Sequence, residues 1–446
     1  MRIHTGILIA ALLTAGCGGG KDSTSSLSVS PTTLTFDSAD ADTKTVQVES
    51  NGKWTVAVAD GSWCSVDRAS GSGNKTLSVS VSANTSALQR NTTVTLNGAG
   101  SPASFTVSQP GVKVSPSTAS FAKGADIGWV TEMEANGYKF YNSAGAEKEL
   151  TALLKEIGLN SVRYRVWVNP SAGYNGKADV LAKCRRAQAL GMQIMIDFHY
   201  SDTWADPSHQ IVPAAWQDYT SSSQMANAIA AHTKDVLQTL KNNGINVTWV
   251  QVGNEVTVGM LRHKGTESSY SDIGSTVSGK IVSNQVGHFV EYLNAGYDAV
   301  KAVYPEAGVI LHIDNAWKDN AWYFTLMDNN GAKYDMIGLS LYPSSWDDTA
   351  KEYPDWTTKT QQAVSRFGTL HSTFAKPVML VEFGMPVSQP DKGKAALQYI
   401  LTQMSGNHDW FKGVFWWEPE AESSRNGYDY GAFSGGKPTA ALDPFK

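Results

Sequence analysis

From about residue 120 to the C-terminus, short apolar runs with strand character alternate with helical stretches. Such alternation implies parallel strands joined by crossover helices, because parallel neighbours cannot be linked by a tight hairpin. Eight strand candidates fall at residues 124–129, 161–168, 193–198, 247–252, 309–313, 336–341, 378–381 and 413–417. Helical stretches lie between them, among them residues 147–155, 225–240, 287–303 and 392–404. Eight such units in about 325 residues fit one closed (β/α)8 TIM barrel with some long loops. An open doubly wound sheet is the alternative. It is disfavoured because no Gly-rich phosphate-binding turn follows the first strand.

Residues 27–112 have a different character. They are rich in Ser, Thr, Val and Asn and carry alternating runs at 34–36, 44–48, 54–58, 77–81, 93–96 and 104–107. Short alternating strands separated by turn residues predict a small all-β, immunoglobulin-like sandwich. Trp54, Trp63, the Ser70-Gly-Ser-Gly73 turn, Asn84, Arg90 and Gln109 stand in an order that resembles the BACON domain. That resemblance implies either a glycan-binding module or a passive spacer.

The first residues have the form of an export signal, with a short cationic start and an apolar stretch, 7–13, too short to span a bilayer. Leu13-Thr-Ala-Gly-Cys17 resembles the lipobox of bacterial lipoproteins, which implies cleavage before Cys17 and lipidation of its thiol. The expected organisation is a signal over 1–17, a Gly/Ser-rich tether over 18–26, the sandwich over 27–112 and the barrel over 120–446. Cys64 and Cys184, in different domains, make neither a disulfide framework nor a zinc site. A net charge of −5 without a basic stripe excludes nucleic acid as an expected partner.

Active sites of (β/α)8 barrels sit at the C-terminal strand ends. Polar and aromatic residues gather there in this sequence. Arg163, Arg165 and Trp167 alternate onto one face of the second strand, where an Arg fork can hold a carboxylate ionised. The third strand ends Asp197-Phe-His-Tyr-Ser-Asp-Thr-Trp-Ala-Asp-Pro207 and the fourth Val250-Gln-Val-Gly-Asn-Glu255. The fifth offers His312 with Asp314 and Asn315, the sixth Tyr342-Pro343, the seventh Glu382, and the eighth Trp416-Trp-Glu-Pro419. A single strand-end Glu has a structural explanation as a cap or an ion pair. Two, on different strands of one barrel, suit glycosidic bond cleavage by a carboxyl pair.

This constellation resembles the clan-A glycoside hydrolases, and more narrowly family 53, the endo-β-1,4-galactanases. The residues that carry it are Gly124-Ala-Asp-Ile127, Val162-Arg-Tyr-Arg-Val-Trp167, the 197–207 motif, Asn254-Glu255, Leu339-Ser-Leu-Tyr-Pro343 and Trp416-Trp-Glu-Pro419. The resemblance implies that Glu255 is the general acid/base and Glu382 the nucleophile. It implies that Asn254 binds the hydroxyl next to the anomeric carbon, that Arg165 and Tyr342 contact Glu382, and that Trp417 floors the cleaved sugar's subsite. Asp126, His199, Trp204, Asp206 and His312 are the remaining expected substrate-binding residues, with Trp346 a further stacking surface. Two departures from the family pattern, Leu341 and the Phe383-Gly384 pair, are expected to alter subsite shape. Bacterial members often carry an acidic calcium loop after the seventh strand. The short 384–391 segment lacks those carboxylates, so a structural calcium stays open and the chemistry needs no cofactor.

The function expected is retaining, endo-acting hydrolysis of β-1,4-galactan, as in pectin side chains. The partners expected are that polysaccharide (including type I arabinogalactan) and, through the lipid anchor, the outer membrane. A monomer displayed at the cell surface is expected, with a periplasmic face left open. A β-mannanase or xylanase of the same clan would share both glutamates, and a glycan-capture protein on an inactive barrel would have lost one of them.

Overall fold

A computed structural model describes residues 26–85, 89–98, 100–112, 119–344, 355–406 and 408–446. Cys17 with the whole leader, nearly all of the tether, and Trp346 lie outside the described residues. The chain divides into two compact units. One is built on residues up to 84 with 90–109, the other on 85–89 with 110–446.

The first unit is a sandwich of two sheets. One sheet orders Leu27–Ser30, Asp42–Ser50, Lys75–Val81 and Cys64–Val66. The other orders Thr33–Thr35, Ala103–Gln109, Arg90–Gly98, Lys53–Val58 and Ser70–Ser72. Period-2 alternation sends Val46, Val48, Leu77, Val79, Val94, Leu96, Phe105 and Val107 inward to a closed core. The residues carrying the BACON resemblance hold this core. Trp54 packs over Gly71, where an added Cβ would sit 2.3 Å from the indole, and donates from Nε1 to Gly73 O at 3.0 Å. The Arg90 guanidinium lies 4.4 Å from the Trp63 ring centre and donates to Gln109 Oε1. Every aromatic side chain of the unit (Phe36, Trp54, Trp63 and Phe105) is buried, so none forms a stacking platform for a sugar.

The second unit is a closed barrel of eight parallel strands. They are β1 (Ala122–Asp126), β2 (Ser161–Val166), β3 (Gln193–Phe198), β4 (Trp249–Val252), β5 (Gly308–Ile313), β6 (Met336–Leu341), β7 (Val378–Phe383) and β8 (Phe411–Trp417), and β8 pairs back to β1. Helices α1 (Leu150–Ile157), α2 (Lys177–Ala189), α3 (Ser222–Asn242), α4 (Val286–Val303), α5 (Ala321–Asn329), α6 (Trp356–Phe374) and α7 (Pro390–Met404) form the connections. Each strand is buried on both faces, as barrel strands must be. Local signals set the helix starts: α3 opens on a Ser221/Gln224 capping box, and Glu149 caps α1 by accepting Ala152 N–H. Several boundaries differ from the sequence expectation by one to three residues. The first strand ends at Asp126 because residues 127–129 turn out of the sheet, and Glu147–Lys148 pairs with Phe140–Tyr141 before α1 begins. The β4–α4 connection also holds two small hairpins, 259–260 with 279–280 and 263–266 with 269–272.

The lumen is layered. Met195, Trp249, Ile310, Met336, Met379 and Phe415 fill its lower part. Gly124 makes room there, since a Cβ would lie 2.3 Å from the Phe415 ring. One residue pair higher on each strand the lining turns polar, with Asp126, Arg163, Asp197, Gln251, His312 and Ser340, all fully or nearly fully buried. Strand β7 breaks the alternation. Leu339 pairs with Leu380 but Ser340 pairs with Glu382, so Val381 is an extra residue. This bulge lets both Val381 and Glu382 face the lumen, a device that re-aims a side chain beside a site. Among the described residues, no helix is long and apolar enough to cross a membrane.

Candidate active site

Glu255 and Glu382 line one pocket of about 540 Å³ at the C-terminal end of the barrel. Its other walls include Trp129, His199, Trp204, Asp206, Asn254, Tyr342, Trp417 and Tyr428. Two lining residues hold positive φ, Glu255 (44°) and Asn315 (53°), after β4 and β5, and so do buried Tyr200 (50°) and Glu418 (42°), next in sequence to the lining residues His199 and Trp417. Such conformations are costly, and they persist where the surroundings hold a side chain in one direction.

The two glutamates sit in different electrostatic surroundings. Glu382 is 4 % exposed, forms an ion pair with Arg163 Nη1 at 2.9 Å, and accepts the Tyr342 hydroxyl at 3.0 Å. Burial pushes its carboxyl upward, while Arg163 and the Tyr342 hydroxyl pull it back. Burial and the charge of Glu382 hold the Tyr342 hydroxyl protonated, which suits a donor. Glu255 is half-buried, and among the described residues no cation pairs with it. Burial, then the charges of Glu382 and Asp314, drive its carboxyl well above the ordinary range. The pair therefore separates into a more readily ionised Glu382 and a proton-holding Glu255.

Arg163, not Arg165, holds Glu382. The Arg163 guanidinium also donates to Asp126 Oδ2 (2.7 Å), Asp197 Oδ2 (2.8 Å) and Asn254 Oδ1 (2.7 Å). Arg165 sits one residue pair higher and turns away to Glu418, with Asp126 Oδ1 at 3.8 Å. Both arginines face inward by alternation, so spacing alone does not tell which layer meets the carboxylate. Arg165 lies under the rings of Trp129, Trp167 and Trp204, at 5.2, 5.5 and 4.4 Å from their centres. It thus supports the aromatic wall. Gly128 is obligatory at this junction, because a Cβ would stand 2.3 Å from the Arg165 guanidinium. Its N–H, with that of Trp129, donates to Glu418.

Asp126 and His312 are fully buried beneath the pocket and do not line it. Asp126 is spent on Arg163 and on Gly128 N–H. His312 Nδ1 accepts from Gln251 Nε2 (2.8 Å) and from Glu255 N–H (3.2 Å). The proton is therefore assigned to Nε2, which donates to Ser340 Oγ at 2.7 Å. Burial and Arg163 hold this imidazole neutral. The Ser340 hydroxyl in turn hydrogen-bonds the Glu255 carboxyl.

The other expected residues reach the pocket. His199 donates from Nε2 to Asp197 and accepts Trp167 Nε1 and Ala205 N–H at Nδ1, which fixes its ring. Asn254 gives one amide proton to Ala205 O (2.7 Å) and has a second to offer. The Asp206 carboxylate is tied to His209 and the backbone of 208–209. Trp204, Tyr342 and Trp417 are walls. Sequence reasoning missed Trp129, Ser340 and Tyr428 as lining residues, and it gave the contact with Glu382 to Arg165 although it offered Arg163 in the same Arg fork. Leu341 and Phe383 do not shape a subsite. Both point out into the helix layer, where Phe383 packs edge-on against Trp416 at 5.1 Å. Gly384 does bear on the pocket: a Cβ there would press on the Tyr342 ring at 2.7 Å. Among the described residues, no group of three or more His, Cys, Asp or Glu is placed to hold a metal ion.

Behind the wall lies Glu420, 1 % exposed. Neither of its oxygens accepts a hydrogen bond from a donor, and it abuts Glu418. Burial, then the charge of Glu418, push its carboxyl well up and favour its protonated form. A raised carboxyl pKa leaves stability intact below the unfolded-state range and erodes it as pH climbs toward the folded value. Glu420→Gln keeps the shape without the charge. Thermal unfolding is expected to show it about 1–3 kcal/mol more stable than wild type at pH 8. At pH 4 the two should be nearly equal. An unchanged difference across pH would contradict the raised carboxyl of Glu420.

Comparison with known proteins agrees with this geometry. The model of glycosyl hydrolase family 53 matches residues 122–441, and that of a viral BACON domain matches residues 26–112. A probable arabinogalactan endo-beta-1,4-galactanase A of Neosartorya fischeri is 32% identical over 324 residues, covering 67% of this chain and 83% of its own. An arabinogalactan endo-beta-1,4-galactanase of Cellvibrio japonicus is 32% identical over 333 residues, covering 68% and 82%. A fungal beta-1,4-galactanase structure superposes with a TM-score of 0.62 at 27% identity, over 73% of this chain and 99% of its own. With a carboxylate pair at the ends of β4 and β7 in one pocket and a family match over the whole barrel, this chain belongs to glycosyl hydrolase family 53.

Proposed function

We propose that this glycoside hydrolase cuts β-1,4-galactan internally, with retention of anomeric configuration. The observation that carries the mechanism is the asymmetry of the two glutamates: Glu382 has a cation and a hydroxyl donor, Glu255 has neither cation nor low pKa. Glu382 attacks the anomeric carbon while Glu255 gives its proton to the departing glycosidic oxygen. A covalent glycosyl-enzyme forms. Glu255 then takes a proton from water as the water's oxygen attacks the same carbon and frees Glu382. Asn254 offers its second amide proton to the 2-hydroxyl, and Trp417 lies under the sugar ring. Galactan as substrate rests on the relatives, whose names specify arabinogalactan endo-galactanase activity.

The test is product analysis of residues 18–446 on β-1,4-galactan, β-mannan and xylan. Short galacto-oligosaccharides from galactan alone support the proposal. Cleavage of mannan or xylan in preference would overturn the substrate.

The hydroxyl of Ser340 links neutral His312 to Glu255 and lowers the acid's pKa. Ser340→Ala is expected to move the alkaline limb of kcat/KM to higher pH, with a roughly tenfold loss of kcat at the optimum from misorientation. A profile of unchanged shape would show that Ser340 only packs.

Lipidation of Cys17 and display on the outer membrane remain part of the proposal, supported by Leu13-Thr-Ala-Gly-Cys17. Cys17→Ala should release the enzyme from membranes into the soluble fraction.

A further inference from the structure

Gln251 lies in the buried network between the two glutamates, and no step of the mechanism uses it. It is fully buried on β4. Its Nε2 stands 2.7 Å from Asp197 Oδ1, 3.0 Å from Asn254 Oδ1, 2.8 Å from His312 Nδ1 and 3.3 Å from Gly253 O. Asp197 is ion-paired with Arg163, and the oxygens of Asn254 and Gly253 can only accept. The reverse orientation of the amide would set its oxygen against all three, so the neighbours fix which end is the nitrogen. In this orientation Oε1 is buried and, among the described residues, meets no donor. A buried oxygen left unpaired lowers stability. What Gln251 contributes is therefore its two N–H protons.

Those two protons are fewer than the acceptors around them. The shortest contact takes one to Asp197. The other falls between Asn254 Oδ1 and His312 Nδ1, which lie only 3.1 Å apart. Two acceptors at that distance repel unless a proton is offered to both. With Gln251 offering it, the imidazole proton stays on Nε2, facing Ser340 Oγ at 2.7 Å, and Nδ1 accepts Glu255 N–H at 3.2 Å. The Ser340 oxygen accepts from His312, so its own proton turns to the Glu255 carboxyl. Without the amide, the simplest way to hold His312 and Asn254 together is a proton on Nδ1, donated to Asn254 Oδ1. Nε2 would then accept the Ser340 hydroxyl. Glu255 would lose the Ser340 proton and also the acceptor for its backbone N–H. That N–H belongs to a residue with φ of 44°, a conformation that persists only where its surroundings hold it.

We propose that Gln251 is a positioning residue for the acid/base: its amide locks His312 in the Nε2–H form, which through Ser340 points a hydroxyl proton at Glu255. The inference rests on the role of Glu255 in the function proposed above. A donor aimed at Glu255 favours its carboxylate. That is the form Glu255 takes as the glycosidic bond breaks, and the form it needs to accept a proton from water. The lock thus bears on both halves of the double displacement. The charged groups facing Glu255 are Asp206 of the β3 loop, Asp314 after β5 and Glu382 of β7, and those facing His312 are Arg163 of β2 and His199 after β3. All of them are retained when Gln251 is replaced.

The test reads the tautomer and the pH profile together. Nitrogen NMR of enzyme carrying isotope-labelled histidine, with His312 assigned by its loss in His312→Asn, should show the wild-type proton on Nε2 alone. In Gln251→Met and Gln251→Leu, which fill similar space without an N–H, the proton should appear on Nδ1. The wild-type spectrum stands even where a variant folds poorly. On galactan, Gln251→Met should move the alkaline limb of kcat/KM to higher pH, as Ser340→Ala does, with a roughly tenfold loss of kcat. Introduced into Ser340→Ala, it should move the limb no further, because the path to Glu255 is already cut. A proton on Nδ1 in wild type, or still on Nε2 in both variants, overturns the lock. An unmoved limb in Gln251→Met, or a further shift on top of Ser340→Ala, overturns the path through Ser340. Galactan left intact by wild type sinks the substrate reading instead, and the spectra then decide the lock on their own.

Discussion

Glu382→Gln is expected to lower kcat on galactan by on the order of 10⁴-fold or more, since no covalent intermediate can form without the nucleophile. Glu255→Gln should behave differently. On galactan, whose leaving hydroxyl needs a proton, the loss should be about 10²–10⁴-fold. On an aryl galactobioside with an acidic phenol as leaving group, formation of the glycosyl-enzyme should be nearly as fast as in wild type. Hydrolysis of that intermediate should then limit the rate, and a burst of phenol should appear. Added azide should relieve the block by attacking the intermediate directly, giving a β-galactobiosyl azide. This split follows from the unequal surroundings of the two carboxyls. Glu382 has Arg163 and Tyr342, and Glu255 has only Ser340, with Asp314 nearby. Equal losses on both substrates for both variants would contradict the assignment of roles.

The second large effect is expected from Arg163→Met. This arginine is fully buried and its guanidinium serves Asp126, Asp197, Glu382 and Asn254 together. Its removal leaves three carboxyls without their cation in the lumen. Breaking a buried pair on one side costs about 3–5 kcal/mol. The carboxyls can escape part of that by taking up protons. The loss of stability should therefore be smaller at pH 5 than at pH 8, because a raised folded pKa costs nothing below the unfolded-state range and progressively more as pH climbs from there toward the folded value. Denaturant unfolding at the two pH values measures it. Arg163→Lys should recover only part, since one ammonium cannot reach four acceptors in the geometry of a planar fork. A loss independent of pH would show that Arg163 acts by volume rather than by charge.

The barrel was legible because its strands are buried on both faces and so appear as near-continuous apolar runs of about six residues, each ended by a polar or aromatic cluster. The two glutamates and most of the pocket wall were legible for the same reason, since strand ends locate the site. What was not legible is height within the lumen. Arg163 and Arg165 share a face, as do Asp197 and His199, and a two-residue step in sequence is the difference between a buried support and a pocket wall. Asp126 and His312 were placed one layer too high on that account. The bulge at Val381 was also hidden, because strict alternation would send Glu382 to the helix side. The hairpins of the β4 connection gave no signal either. Their strands of two to four residues are too short for a periodicity. Glu418 read as a strand-end polar residue, yet its place under the aromatic wall depends on Gly128, Trp129 and Arg165 meeting it from two other strands.

The most direct test of the central claim is the stereochemistry of the product. Proton NMR of a galactan digest, read within the first minutes before mutarotation, shows which anomer the enzyme releases. Double displacement through Glu382 predicts that the β-anomer of the new reducing end appears first and the α-anomer only later. An α-anomer that appears first would mean inversion by a water between the two carboxyls, and would contradict Glu382 as nucleophile.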